Sequence, residues 1–265
     1  MSEFSTNHKD YLLNLQKQQM IVRISRIVIF FGFLLLWEIT SRLGIIDSFI
    51  FSSPAMIGLC FWEMVIDRTI FLHLWTTFYE TIISFILVTF FSVFIAVLLW
   101  FSEKLSKIVE PYFVTLNSLP KSALAPLLIV WLGATPLTII VCGMSVAIFG
   151  SIMNLYTSFS TVDNEKIKLI YTLGGGKWHA LTKVVLPSSI PEIISNMKVN
   201  IGLCLVGVII GEFLAARNGL GYLILYSSQV FKLDWLLMAI CILCIMALGL
   251  YSLINIIEKI YQKKI

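Results

Sequence analysis

The chain predicts an all-α, polytopic membrane fold with six transmembrane helices, and three observations predict it. Hydrophobic residues make up 58% of the 265 residues and charged residues only 13%, against about a quarter charged in a soluble domain. Apolar runs recur at the length needed to cross a bilayer, about 20 residues for a helix. Lysine and arginine gather in alternate loops, as they do on the cytoplasmic side of membrane proteins. With the runs taken as spans, the inner segments hold about thirteen of the 19 basic residues and the outer ones about four, Arg42, Arg68, Arg217 and Lys232. An odd number of spans would turn one basic segment outward.

In order, residues 1–22 are polar and mixed in charge and read as a cytoplasmic tail, mobile or lying on the surface. A transmembrane domain follows at 23–258, and residues 259–265 form a cytoplasmic C-terminal tail. The first span, 24–43, is too long for the core of a cleaved signal peptide and is expected to remain. Lys17, Arg23 and Arg26 before it place the N-terminus inside. Ser52-Ser53-Pro54 starts a short helix, too charged up to Asp67 to span, which is read as lying on the outer surface. The second span covers 77–100, with Glu80 near its outer end, and Ser102 to Lys107 reads as a return loop. The third, 108–133, contains Pro111, Pro120 and Pro126; each removes a backbone donor and tends to kink a helix. Such breaks persist in a membrane where neighbouring helices or a polar cavity satisfy the freed carbonyls. The fourth span, 136–158, opens at Thr135-Pro136 and carries Asn154 near its inner end. The fifth, 192–214, is polar in its inner half and ends in Gly211-Glu212-Phe213-Leu214, followed by Gly219-Leu220-Gly221-Tyr222. The sixth covers 235–257, and Lys259, Lys263 and Lys264 close the chain inside.

Between the fourth and fifth spans lies a polar hairpin, 163–187. Asp163 suits a helix cap and Glu165 the positive end of the helix dipole, while Ile167, Ile170 and Tyr171 share one face. Gly174-Gly175-Gly176 permits a sharp turn. Trp178, Leu181 and Val185 form a second apolar stripe, Pro187 is expected to stop it, and Ser189-Ile190-Pro191-Glu192 reads as a capping box opening the next helix.

Gly174, Val184 and Leu186-Pro187 fall at the spacing of the cytoplasmic loop of bacterial ABC-importer permeases. The chain therefore resembles that family, although Lys168-Leu169-Ile170 stands where those proteins usually carry Glu-Ala-Ala. Pro120-Lys121 through Ala125-Pro126-Leu127 to Trp131-Leu132-Gly133 resembles the nitrate, sulfonate and taurine branch, as do Asn154 and the pairing of Glu212 with Gly219-Leu220-Gly221-Tyr222. The resemblance implies a type I importer permease in a bacterial cell membrane, with the hairpin coupling it to a separate ATPase. Lys168, Leu173, Gly174, Gly176, Trp178, Leu181, Leu186 and Pro187 would carry that coupling. It also implies cytoplasmic ABC ATPase subunits, an extracellular or periplasmic solute-binding protein and a second permease copy. One unit of six helices is small for enclosing a solute route, which favours a two-fold dimer. The branch suggests small anions such as sulfonates or nitrate, and relatives also move heterocycles related to vitamin precursors.

Lys121, Asn154, Lys198 and Glu212 are candidates for the translocation pathway, because ionisable or amide groups in spans usually face the bundle interior or water. Glu80, Lys198 and Glu212 also lie close enough to an interface to snorkel. Gly174-Gly175-Gly176-Lys177 lacks both the first glycine and the hydroxyl of a phosphate-binding loop, so no nucleotide site is expected in this chain. Cys241 and Cys244 have C-x-x-C spacing within an apolar helix, without a second pair to make a zinc site. His8, His73 and His179 lie far apart and read as surface residues, so neither a metal site, a cofactor nor an enzymatic activity is expected. The basic residues are scattered rather than gathered on one face, which argues against nucleic acid as a partner. The alternative reading is a secondary active transporter, which would show inverted repeats and matching broken helices in two halves.

Overall fold

The computed structural model describes residues 3–262, without side chains at 3–10, 12, 15 and 262. Lys263, Lys264 and the side chain of His8 lie outside the described residues. These divide between Glu63 and Met64 into two compact units. All the regular structure described is helical, in the order α1 (Glu3–Arg42), α2 (Ser48–Phe51), α3 (Pro54–Ile66), α4 (Thr69–Phe101), α5 (Glu103–Ser118), α6 (Lys121–Leu132), α7 (Pro136–Ser160), α8 (Asn164–Thr172), α9 (Lys177–Ala180), α10 (Leu186–Ser188), α11 (Ile190–Ala215), α12 (Leu220–Gln229) and α13 (Leu233–Gln262). A π-helical turn, Leu181–Val185, joins α9 to α10.

In the first unit, helix extends well before the first expected span. Residues 3–22 continue α1 without a break, because no glycine or proline precedes Gly32 and the segment is rich in good helix formers. Asp47 caps α2, its carboxylate accepting from the Phe49 amide at 2.9 Å. Ser53 receives the Met56 amide at 3.3 Å, so the start signal before Pro54 operates as expected. Glu38 ties the unit together, accepting from Arg42 Nε at 2.6 Å and from the Ala55 amide at 3.0 Å.

In the second unit α4, α7 and α11 form the core, and small residues let them approach closely. A Cβ on Gly143 of α7 would come within 2.5 Å of Ser84 Oγ and 2.8 Å of Val208. A Cβ on Gly207 of α11 would stand 2.7 Å from the Cys142 carbonyl oxygen. Such contacts hold membrane helices together where apolar burial gives no preference over lipid. Three polar side chains buried between them find partners on a neighbouring helix: Ser84 donates to the Ile140 carbonyl at 3.0 Å, and Asn196 and Asn200 both donate to Ser151 Oγ, at 2.6 and 2.8 Å. Phe85, Val88, Ala147, Ile201 and Cys204 fill the space between, with Leu250 and Ile254 of α13 closing it.

Among the described residues five helices are long and apolar enough to cross a membrane: α1 from Gln16, α4, α7, α11 and α13. The third expected span is not one kinked helix but two, α5 and α6, bent by 97°. Of its three prolines only Pro120 stands at the break. Leu119 before it is extended (φ −64°, ψ 138°), as a residue preceding proline prefers. Pro111 and Pro126 sit inside α5 and α6, each forgoing one backbone hydrogen bond without ending its helix. The expected return loop from Ser102 to Lys107 is instead the first turn of α5, capped by Ser102.

Candidate functional site

The hairpin is built on its predicted signals at its start and departs from them at its end. Asp163 caps α8 through the Glu165 amide at 2.9 Å. The turn after α8 uses Gly174 at φ +82°, a left-handed conformation that glycine adopts without strain. The Gly175 amide returns to the Ile170 carbonyl at 2.9 Å, closing the helix end. Beyond the turn, Pro187 does not stop the chain. It lies inside a continuous helical run, directly after the π-helical turn, and helix runs almost unbroken into α11. The capping box is not made either: Ser189 holds φ −95°, ψ 2°, and its hydroxyl caps no amide.

The apolar stripe expected from Trp178 through Leu181 to Val185 is split. Leu181 is 1% exposed and Val185 is fully buried, packed with Ala96 of α4 and with Leu155 and Phe159 of α7; Ile167 of α8 joins them. Trp178 is instead 62% exposed and stacks on Phe101 at the end of α4, centroids 6.1 Å apart. Lys177 fastens the same point, donating to the Phe101 carbonyl at 3.3 Å. The hairpin thus has a buried root and an open tip, where Leu169 is 58% and Leu173 76% exposed beside Lys168, Gly174 and Gly176. Leu186 is half-buried and Pro187 exposed at the root.

The four pathway candidates do not come together. Asn154 opens onto an exposed cleft near the hairpin root. Lys121 sits at the break between α5 and α6, where its ammonium donates to the Leu116 carbonyl freed by the bend and lies 5.3 Å from the centre of the Phe149 ring. Lys198 pairs with Glu258 of α13 and donates to Asn255 at 3.2 Å. Lys121→Met is therefore expected to loosen the bend, because it strips the Leu116 carbonyl of its donor. Faster alkylation of an introduced Cys at Ser118 would register this, and an unchanged rate would show that the ammonium does not hold the break.

Glu212 is fully buried at the end of the bundle opposite the hairpin, and both of its oxygens are engaged. Thr77 of α4 donates to Oε1 at 2.6 Å and the Gly221 amide to Oε2 at 2.6 Å. Thr77 in turn accepts from the Leu220 amide at 2.8 Å. His73 is not the surface residue expected: its Nδ1 lies 3.0 Å from the Gly219 oxygen and 3.1 Å from the Gly219 nitrogen. Glu80, one turn along α4 from Thr77, is also buried rather than snorkelling. This knot pins the 219–222 segment, which opens α12, a helix the sequence reading did not contain. Sequence reasoning missed Thr77 and His73; the one available hint was a hydroxyl and an imidazole near the end of an apolar run that also carries Glu80.

No disulfide joins any of the cysteines, and Cys241 and Cys244 are exposed. Among the described residues no group of three or more His, Cys, Asp or Glu side chains is placed to hold a metal ion.

Helices long and apolar enough to cross a membrane, a sharply bent helix pair and a helical hairpin rooted in the bundle define a polytopic membrane fold of the type I importer permease kind. The family described as the binding-protein-dependent transport system inner membrane component matches residues 89–265, and the chain belongs to it. It is thus a multi-pass permease subunit of an ABC importer for small solutes. It is 24% identical to the SsuC permease of Bacillus subtilis, provisionally named for aliphatic sulfonates transport, over 84% of this chain and 81% of that protein. It is 25% identical to the riboflavin transport system permease protein RibX of Chloroflexus aurantiacus, over 86% of this chain and 85% of that one. Its fold is that of a chain in the inward-facing MetNI methionine ABC transporter, with a TM-score of 0.64, 16% identity, and 72% of this chain and 97% of that one covered.

Proposed function

We propose that the 163–187 hairpin is the coupling element of the importer, that it lies with both termini on the cytoplasmic side, and that an ABC ATPase seats on its tip. The observation that supports this is the contrast within the hairpin. Its root is buried against α4 and α7, while Leu169, Leu173 and Trp178 stand open at a tip too polar to enter the bilayer. Force applied at the tip would therefore move α4, α7 and α11 rather than bend the hairpin. ATP hydrolysis belongs to that partner and not to this chain. Two copies about a two-fold axis enclose the route, with the bent α5–α6 span and the Asn154 face of α7 lining it, and a solute-binding protein delivers cargo at the Glu212 end. The relatives named for sulfonates and riboflavin support a small organic solute as cargo.

Two measurements test the reading. A membrane-impermeant thiol reagent applied to intact cells is expected to label Arg217→Cys and to leave Lys177→Cys unlabelled; labelling at 177 overturns the cytoplasmic placement. In proteoliposomes carrying the permease with a cognate ATPase and binding protein, uptake is expected to require ATP. Uptake driven by an ion gradient alone would point to a secondary transporter.

A further inference from the structure

Glu80 of α4 is 2% exposed, and its Oε2 has no hydrogen-bond partner. None of the described ion pairs involves it. Its carboxyl instead meets that of Glu212 where α4 packs on α11. Two acidic groups enclosed side by side cannot both stay ionised, because a buried carboxylate without a partner is costly and a like charge beside it adds to the cost. One of the two must therefore be neutral.

The donors decide which. Glu212 accepts from Thr77 at Oε1 and from the Gly221 amide at Oε2, so both of its oxygens act as acceptors, as in a carboxylate. The Oε2 of Glu80 receives nothing. The helices packed around this stretch of α4 bring no cation to it: α7 offers the Cys142 thiol, close to Gly211 of α11, and α12 offers Tyr222, stacked on His73. His73 itself is engaged with Gly219.

We infer that Glu80 is a carboxylic acid that donates its proton to the Glu212 carboxylate, and that this one exchangeable proton is the latch closing the knot around residues 219–222. A hydrogen bond from an acid to a carboxylate is short and strong. Without the proton, two carboxylates face each other and Glu212 is driven from Thr77 and the Gly221 amide, the donors that tie the start of α12 to α4 and α11. Loss of the proton in alkaline solution therefore releases α12. Folding takes up a proton at Glu80 that the unfolded chain has given up at neutral pH, so stability falls as the pH rises.

The test uses the full-length protein in a detergent free of ester groups. Its infrared spectrum at neutral pH is expected to contain the carbonyl band of a protonated carboxyl, which exposed, ionised carboxylates lack. Glu80→Gln keeps the shape of the neutral acid and a donor for Glu212, and it should remove that band. Opening is read at Ser227→Cys, which replaces a buried α12 hydroxyl that makes no hydrogen bond. Its alkylation rate is followed on its own peptide by mass spectrometry, so that the native cysteines do not interfere. Between neutral and alkaline buffer the rate is expected to rise severalfold more with Glu80 in place than in the Glu80→Gln background, where ionisation of the thiol acts alone. A spectrum without the band at neutral pH, a band that survives in Glu80→Gln, or equal acceleration in the two backgrounds overturns the inference. If Glu80→Gln does not fold, the parent decides: disappearance of its band in alkaline buffer together with a falling melting temperature upholds the latch, and absence of the band at neutral pH overturns it.

Discussion

Gly219→Ala is expected to unfold the Glu212 end of the bundle. Gly219 stands at φ +113°, and a Cβ there would lie 2.4 Å from the Glu212 carboxyl carbon and from Oε1. Neither side can yield cheaply, because Glu212 is fully buried and held at both oxygens by Thr77 and the Gly221 amide. The substitution adds the strain of a side chain in the left-handed region, about 1–2 kcal/mol, to buried polar groups left unpaired, about 1–3 kcal/mol each. A loss of about 3 kcal/mol or more, with transport abolished, is the expected sum. Thr77→Val should act in the same direction, since it removes both the donor to Glu212 and the acceptor of the Leu220 amide, and Thr77→Ser should restore both. Thermal unfolding of the detergent-solubilised protein measures this. A Gly219→Ala protein that melts and transports like the parent would show that the segment carries no such constraint.

The second large effect is expected at the hairpin tip. Trp178→Ala removes an exposed aromatic that stacks on Phe101, while Leu181 and Val185 keep the root in place. The permease should remain folded and dimeric, and its affinity for the ATPase should fall more than tenfold, since truncating an interface tryptophan costs about 2 kcal/mol or more. Leu173→Asp should do the same by placing a charge in the seat of the tip. Substrate-stimulated ATP hydrolysis by the reconstituted complex is the measurement. If both variants retain full stimulation, the tip is not the docking surface. Leu181→Ala is the contrasting case: Leu181 is buried in the root, so its loss should lower stability before it lowers coupling.

What was legible in the sequence is what depends on near neighbours. The long apolar runs of α4, α7, α11 and α13 stand in the chain as composition, and bilayer thickness converts their length into spans. The hairpin was legible in part, through the Asp163 cap and the glycine turn, both of which act within a few residues. Its second half misled because the packing partners lie far along the chain: α4 and α7 bury Leu181 and Val185, while Trp178 stacks on Phe101 at the end of α4. Pro120 shows the same limit: three prolines predicted a weakened span, but which of them would break it, and by 97°, was not in the local pattern.

The polar side chains lay furthest from reach. Glu212 finds Thr77 across 135 residues, and His73 finds Gly219 across 146. Lys198 finds Glu258 across 60. By itself the sequence determined the helical class, the long apolar helices and the resemblance to importer permeases, because hydrophobicity, caps and turns act over one or two turns of helix. Only the tertiary structure decided which partners the buried charged groups take. A buried charge is fixed by whichever partner the packing of other helices brings within about 3 Å of it, and no local period encodes that distance.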